Sequence, residues 1–285
     1  MPTQEYWKFQ GSAAVNVSRT TSPKIISIAN QKGGVGKTTT TINLGAALAK
    51  IGFRVLIVDL DPQGNASTGL GIDAEERRVT TYDLLSGDVS PHDAARDTNV
   101  EGLLIIPATT DLSSADMNLM SNEKRSFMLH DALRQPSIDG LKLDYILIDC
   151  PPSLNILTVN ALIASDSVVV PLQSEFFALE GLSQLMLTVR EVRQTANANL
   201  RIEGVVLTMY DSRNNLSQQV EADARDNLGD MVFKTVIPRN VRLSEAPSFA
   251  LSVIDYDPQS KGALAYVELA REISGRLTAN QKAGG

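Results

Sequence analysis

The sequence predicts an α/β fold: a doubly wound, mostly parallel sheet with helices on both faces. Short, near-continuous Val/Ile/Leu runs recur along the chain, and segments with helical periodicity fall between most of them. Runs that are apolar on both faces belong to a sheet buried on both sides, and the intervening helices supply the crossovers that parallel strands need. A glycine-rich turn between the first run and the first helix is the third observation.

Residues 24–30 (KIISIAN) are the first expected strand. The turn over residues 31–36 follows, then a helix over 38–51 that Gly52 is placed to end. Residues 54–59 (RVLIVD) form the next strand. Later strands are expected at 103–107, 144–149 (DYILID), 167–172 (SVVVPL), 204–209 (GVVLTM) and 232–237. Helices are expected at 123–133, 155–164, 179–195, 216–228 and 262–277, and the stretch 121–144 carries the weakest pattern. No repeat, low-complexity tract or linker interrupts residues 23–285, which are therefore expected to form one domain. Residues 1–22 are polar, carry Tyr6, Trp7 and Phe9, and lack the apolar core of a signal peptide. They are expected to be a disordered leader, with a short partner-binding arm as the sharper alternative.

Composition narrows the function. A chain of 285 residues with 43% hydrophobic residues is neither disordered nor collagen-like. Lys+Arg 26 against Asp+Glu 33 gives a net charge of −7, which argues against a coat of basic surface and leaves room for a local patch. The single cysteine, Cys150, excludes a disulfide framework and any multi-Cys zinc or iron–sulfur site within one chain. Cys150 reads as a small buried hydrophobe. Two histidines, His92 and His130, leave little for His-based metal chemistry, and a reducing, cytoplasmic compartment is expected. No stretch reaches the ~18 consecutive apolar residues of a spanning helix.

The turn reads Gln31-Lys32-Gly33-Gly34-Val35-Gly36-Lys37-Thr38, set between a strand and a helix. Phosphates need that order. Glycines let successive N–H groups point into one hollow, and the helix N-terminus adds partial positive charge. Lys37 can reach β- and γ-phosphates, and the Thr38 hydroxyl can ligate Mg²⁺. The usual spacing wants Gly at position 31, where Gln31 stands, and a second lysine, Lys32, opens the loop instead. An extra cation at the mouth is useful if it reaches a phosphate held by a neighbouring subunit.

Asp59-Leu60-Asp61-Pro62-Gln63 follows the second strand. Side chains alternate, so Asp59 and Asp61 share a face at the strand's C-terminal end, where doubly wound sheets hold their ligands. Asp61 is the candidate for orienting the water that attacks the γ-phosphate, with Asp59 supporting the Mg²⁺ shell. Asp149 ends YILID, four apolar residues and an acid, and would hold Mg²⁺ directly or through water. The expected cofactors are thus ATP and Mg²⁺, on a fold of the P-loop NTPase type.

The segments KGGVGKTTT, VDLDPQGNAS, IDCPPSL and IPRNVRLSEAPS, in this order, resemble the deviant Walker A ATPases of the MinD/ParA superfamily. More closely, the chain resembles the chromosomal ParA (Soj-type) partition ATPases, from about residue 24 to about residue 277. The resemblance implies an ATP-dependent sandwich homodimer that binds DNA without sequence preference on the nucleoid. It also implies a ParB-type partner that stimulates hydrolysis and releases the dimer. By the same resemblance, Lys32 matches the lysine that crosses the dimer interface, and Gly33 the position where bulk blocks it. Gly34, Val35, Gly36, Lys37, Thr38 and Thr39 match the phosphate and Mg²⁺ contacts, and Asp61 the hydrolytic aspartate. Pro238 and Asn240 match the region that cradles adenine. Arg213 and Arg242 match arginines implicated in DNA contact.

Two departures accompany the match. The family's common histidine–glycine after SEAPS is Phe249-Ala250 here. The leader is too short for the helix-turn-helix domain of plasmid-type relatives, so no operator-specific DNA reading is expected. Between residues 201 and 250, six basic residues stand against seven acidic ones, so composition shows no basic stripe. That suits weak, salt-sensitive phosphate binding, doubled in a dimer.

The alternative is a MinD-type membrane-associated positioning ATPase. It should end in a basic amphipathic helix, whereas REISGRLTANQKAGG turns polar and small after Leu277, so no membrane partner is expected. A nitrogenase-type iron protein needs two cysteines per subunit. A tyrosine-kinase relative would want a tail tyrosine cluster, and the last tyrosine is Tyr266. Dethiobiotin-synthetase-like ligases lack IPRNVRLSEAP.

Overall fold

The computed structural model describes residues 22–115, 123–175 and 178–283. The strands are β1 (Lys24–Ile28), β2 (Val55–Asp59), β3 (Arg96–Asp97), β4 (Leu103–Ile106), β5 (Tyr145–Asp149), β6 (Ser167–Gln173) and β7 (Arg201–Thr208). They form one sheet in the order β3-β4-β2-β5-β1-β6-β7. All pairings are parallel except that of the two-residue β3, which runs antiparallel to β4 at one edge. The helices are α1 (Lys37–Lys50), α2 (Asn65–Gly69), α3 (Thr81–Ser86), α4 (Pro91–Ala94), α5 (Met128–Leu133) and α6 (Ile156–Ala164). They continue with α7 (Ala178–Thr195), α8 (Asn215–Leu228), α9 (Val241–Glu245), α10 (Val253–Tyr256) and α11 (Lys261–Ala283). The expected leader lies outside the described residues up to Ser22.

Both faces of the sheet are buried, which is why its strands carry no polar alternation. Ile25, Leu56, Val58, Ile146 and Ile148 join one apolar cluster with residues of α3, α5, α6, α7 and α8. Their neighbours Ile26, Ile28, Val55, Ile57 and Leu147 join the opposite cluster with Ile42, Leu44 and Leu48 of α1 and Tyr266, Leu269 and Ile273 of α11. Each fully buried Leu or Ile contributes roughly 1.5–3 kcal/mol, so substitutions at these positions act on stability before they act on the site.

The strand order sets the site. β5 lies between β2 and β1, so Asp149 is the register partner of Asp59 on one side and of Ile28 on the other. The C-terminal ends of β1, β2 and β5 therefore meet at one edge, the crevice in which open α/β sheets place ligands.

Two expected elements differ. Residues 232–237 run beside β7 through isolated bridges, Val205–Val232 and Tyr210–Pro238, and not as a strand. The carboxylate of Glu272 on α11 takes the N–H groups of Lys234 (2.9 Å) and Thr235 (3.1 Å), which breaks the ladder. The helix expected at 123–133 is shortened to α5. The Asn160 side chain accepts from Leu129 N–H (3.1 Å) and donates to Arg125 C=O (2.8 Å). These are the two groups that an uninterrupted helix would have joined to each other.

Candidate functional site

β1 runs into the loop at residues 29–36, and α1 starts at Lys37. Gly34 (φ 75) and Gly36 (φ 85) adopt left-handed backbone, which an L side chain resists. Gly33 does not, and a Cβ built there meets nothing within 4 Å. Gly36 N-caps α1 without a side-chain hydrogen bond, and the first turn carries no acidic residue. The helix N-terminus therefore offers its N–H groups and partial positive charge with no acidic side chain in its own first turn to occupy them. That end of α1 fits a phosphate.

Lys37 is buried, and its Nζ donates to Lys32 C=O at 3.1 Å, back across the loop. Burial lowers its pKa, while Asp149 and Asp61 pull it up. The Lys32 ammonium points outward and pairs with Glu175 at 3.1 Å. Asn30 braces the loop from inside, accepting from Lys32 N–H (3.0 Å) and donating to Pro171 C=O (2.7 Å). Thr208, at the end of β7, donates its hydroxyl to Val35 C=O at 2.9 Å.

The acidic side of the site has two depths. Asp149 is fully buried and accepts from the hydroxyls of Thr38 and Thr41, both at 2.8 Å. Asp59 is equally buried, and one oxygen accepts from both the N–H (2.9 Å) and the hydroxyl (2.6 Å) of Ser67. Its other oxygen accepts from Asp61 N–H at 3.2 Å. Burial raises both carboxyl pKa values, and the neighbouring acids raise them further. Asp61 stands nearer the surface. It accepts from Gln63 N–H at 3.0 Å and lines a cleft of about 630 Å³ opposite Gly33, Gly34, Gly36, Lys37, Thr38 and Thr39.

Of the four residues expected around a metal, Thr38 and Asp61 line the cleft. Asp149 stands behind Thr38, and Asp59 is committed to Ser67 and Asp61. Among the described residues, no group of three or more His, Cys, Asp or Glu is arranged to hold a metal by itself. This donor set suits Mg²⁺, which keeps several waters and takes one or two protein oxygens plus substrate phosphates.

Pro238 and Asn240 do not line this cleft; Met209, three residues before Ser212 and directly before Tyr210, does. Pro238 bridges to Tyr210, and Asn240 caps α9 by accepting from Arg242 N–H at 2.8 Å. Arg213 and Arg242 are exposed, outside the cleft. Cys150 is buried, and burial pushes its thiol pKa up.

Sequence reading missed Ser67, Thr41, Asn30 and Met209. Thr41 carried a signal, since it lies three residues after Thr38 on the same helix face. Ser67 carried none, because its contact with Asp59 depends on how the chain folds back between β2 and α2.

A family model described as an AAA domain matches residues 23–202. The chain is 57% identical over 253 residues to the chromosome partitioning protein ParA of Caulobacter vibrioides, covering 89% of this chain and 94% of that one. It is 55% identical over 251 residues to the sporulation initiation inhibitor protein Soj of Bacillus subtilis, covering 88% and 98%. Among solved structures it is similar to cobyrinic acid a,c-diamide synthase from Mycobacterium smegmatis with bound ADP and magnesium. That likeness has a TM-score of 0.77 at 39% identity and covers 92% of this chain and 97% of the other.

Proposed function

This chain belongs to the ParA/Soj family of chromosome-partitioning ATPases, and from that premise we propose that ATP joins two copies into a dimer that binds DNA without sequence preference. Hydrolysis, stimulated by a ParB-type partner, then releases the dimer from DNA. The chain is an ATPase with ATP and Mg²⁺ as its ligands. The observation that carries the reading is the uncapped N-terminus of α1 behind Gly34 and Gly36, with Lys37 beneath it and Asp61 across the cleft.

In this reading, the loop from Gly33 to Thr39 cradles the phosphates through backbone N–H groups, and Lys37 turns from Lys32 C=O to a phosphate oxygen. Thr38 and Asp61 would hold the metal, with Asp149 orienting the Thr38 hydroxyl from behind. Mg²⁺ held there would supply positive charge against the charge that develops on the phosphates during transfer. Asp59 acts through Asp61: by accepting its N–H, it fixes the turn on which Asp61 stands. Asp61 then holds the attacking water in line, which a loose transition state rewards more than base strength. Pro238 and Asn240 flank the adenine region next to Met209.

Lys32 crosses to the partner's phosphates. To do so it must leave Glu175, and an exposed pair of this kind is worth only ~0–1 kcal/mol. Open space at Gly33 supports a second copy closing over the loop. Arg213 and Arg242 face DNA phosphates, so the dimer sits on the nucleoid. Residues 23–285 act as one domain. Among the described residues, no helix is long and apolar enough to cross a membrane.

The test is duplex DNA binding and solution mass with no nucleotide, with ADP, with ATP and with a non-hydrolysable analogue. Doubling of mass together with DNA binding is expected with ATP and the analogue only. Mass and DNA affinity that ignore the triphosphate would overturn the proposal.

A further inference from the structure

Tyr210 binds the segment 237–239 from both sides, its N–H donating to Ile237 C=O (3.0 Å) and its C=O accepting from Arg239 N–H (2.9 Å). Arg213 lies three residues beyond Tyr210, and Arg242 three residues beyond Arg239. The two arginines proposed to contact DNA therefore leave one junction on neighbouring turns.

Neither guanidinium is free. Arg213 grips Asp211 as a fork, Nε to one carboxylate oxygen and Nη2 to the other, each at 3.0 Å. This is the two-point geometry by which arginine grips a phosphate. Arg242 gives Nη1 to Glu245 at 2.8 Å and Nε to Asp257 at 3.3 Å. Tyr256 also donates to Glu245, at 3.3 Å, and so steadies that acid. With Arg239, which acts on Asp211, the patch holds three cations and three carboxylates. Its local charge sums to zero.

We propose that Asp211, Glu245 and Asp257 are built-in competitors for DNA, occupying on Arg213 and Arg242 the donors that backbone phosphates must take. The inference rests on the DNA-binding reading above and gives that site its regulation. Each phosphate contact displaces a carboxylate, which then lies close to the polyanion and repels it. One subunit therefore binds duplex weakly. Two subunits held together sum their contacts and overcome the competition. Met209 lines the nucleotide cleft two residues before Asp211, so the competitor stands close in sequence to that cleft.

The test compares duplex DNA affinity for the whole chain with a non-hydrolysable ATP analogue over a series of salt concentrations. Asp211→Asn/Asp257→Asn removes two charges, and Asn at 211 retains an acceptor for Arg213 N–H, which Asp211 now accepts at 3.0 Å. It is expected to bind about three- to tenfold tighter than wild type at low salt, with the gain shrinking as salt rises. Misfolding does not produce a tighter, salt-sensitive complex. Asp88→Asn/Glu101→Gln makes the same two-charge change at exposed positions away from these arginines, and it should leave affinity unchanged. A gain equal to that of Asp88→Asn/Glu101→Gln, or no gain, overturns the competition. Arg213→Glu/Arg242→Glu separates the two ideas. If it loses DNA while the Asn variant gains nothing, only the competition fails; if it keeps wild-type affinity, the DNA reading fails and takes the competition with it.

Discussion

Asp59 and Asp149 are register partners on adjacent strands, both fully buried, and hydroxyl groups hold each of them. Burial raises the proton affinity of both, and the neighbouring charge of Asp59 raises that of Asp149 further, as Asp61 does for Asp59. The folded protein keeps protons that the unfolded chain gives up near pH 4. The stability these groups contribute is therefore fully present in acid and is lost as pH rises through their folded values, about 6 for Asp59 and about 8 for Asp149. Asp149→Asn is neutral and nearly isosteric. In magnesium- and nucleotide-free buffer it should be more stable than wild type by about 1–3 kcal/mol at the alkaline end of this window, and the gap should close toward pH 5. Denaturant melts at two pH values check this. A gap that does not change with pH would remove the buried-charge account.

Ser67 should matter more than a serine on a five-residue helix suggests. Its hydroxyl donates to Asp59 and accepts from Ala108 N–H at 3.0 Å, all within the core. Ser67→Ala leaves a buried carboxylate short of a donor and a buried N–H without its acceptor. A loss of about 1–3 kcal/mol is expected in thermal or chemical melts. Because Asp59 positions the Asp61 turn, ATP turnover should fall while nucleotide affinity changes little. A variant with wild-type turnover would detach Asp59 from the reaction.

The glycines of the loop divide by cause, and valine substitutions separate them. Gly36 needs its left-handed backbone, so Gly36→Val should cost about 1–2 kcal/mol in the isolated subunit. Gly33 has no such backbone and faces open space. Gly33→Val should melt within about 0.5 kcal/mol of wild type, bind ATP as a monomer and fail to double its mass. Analytical ultracentrifugation with ATP decides it. If the variant dimerises normally, nothing closes over that position.

The sheet was legible because its strands are apolar on both faces, and β1, β2, β5 and β6 fall within two residues of the runs read as strands. The stretch after α8 was not, because Glu272 takes the Lys234 and Thr235 N–H groups and so interrupts the pairing of this segment with β7. Likewise Asn160 intercepts the start of α5 from another helix. Both interventions come from side chains more than 30 residues away. The loop and the strand-end acids could be found by spacing alone. Asp59 and Asp149 also looked alike by spacing, and only the fold assigns one to Ser67 and the other to Thr38 and Thr41.

Ala250 occupies a conformation better suited to the glycine that relatives are expected to carry. It closes the turn after Phe249 at φ 54, ψ 36, with its N–H bonded to Pro247 C=O at 3.0 Å. Left-handed backbone costs a non-glycine residue about 1–2 kcal/mol, part of which glycine returns through the freedom of its unfolded chain. The surroundings tolerate the strain: Phe249 stacks on Tyr256 with ring centroids 5.1 Å apart, and Leu251 N–H reaches back to Ala246 C=O at 3.2 Å. Ala250→Gly removes the clash without removing a contact these groups depend on. It should stabilise the protein by about 0.5–1 kcal/mol, or raise the melting temperature by roughly 1–4 °C at this chain length. A lower melting temperature would mean that the alanine methyl packs against the Gly71 turn strongly enough to outweigh its own backbone strain.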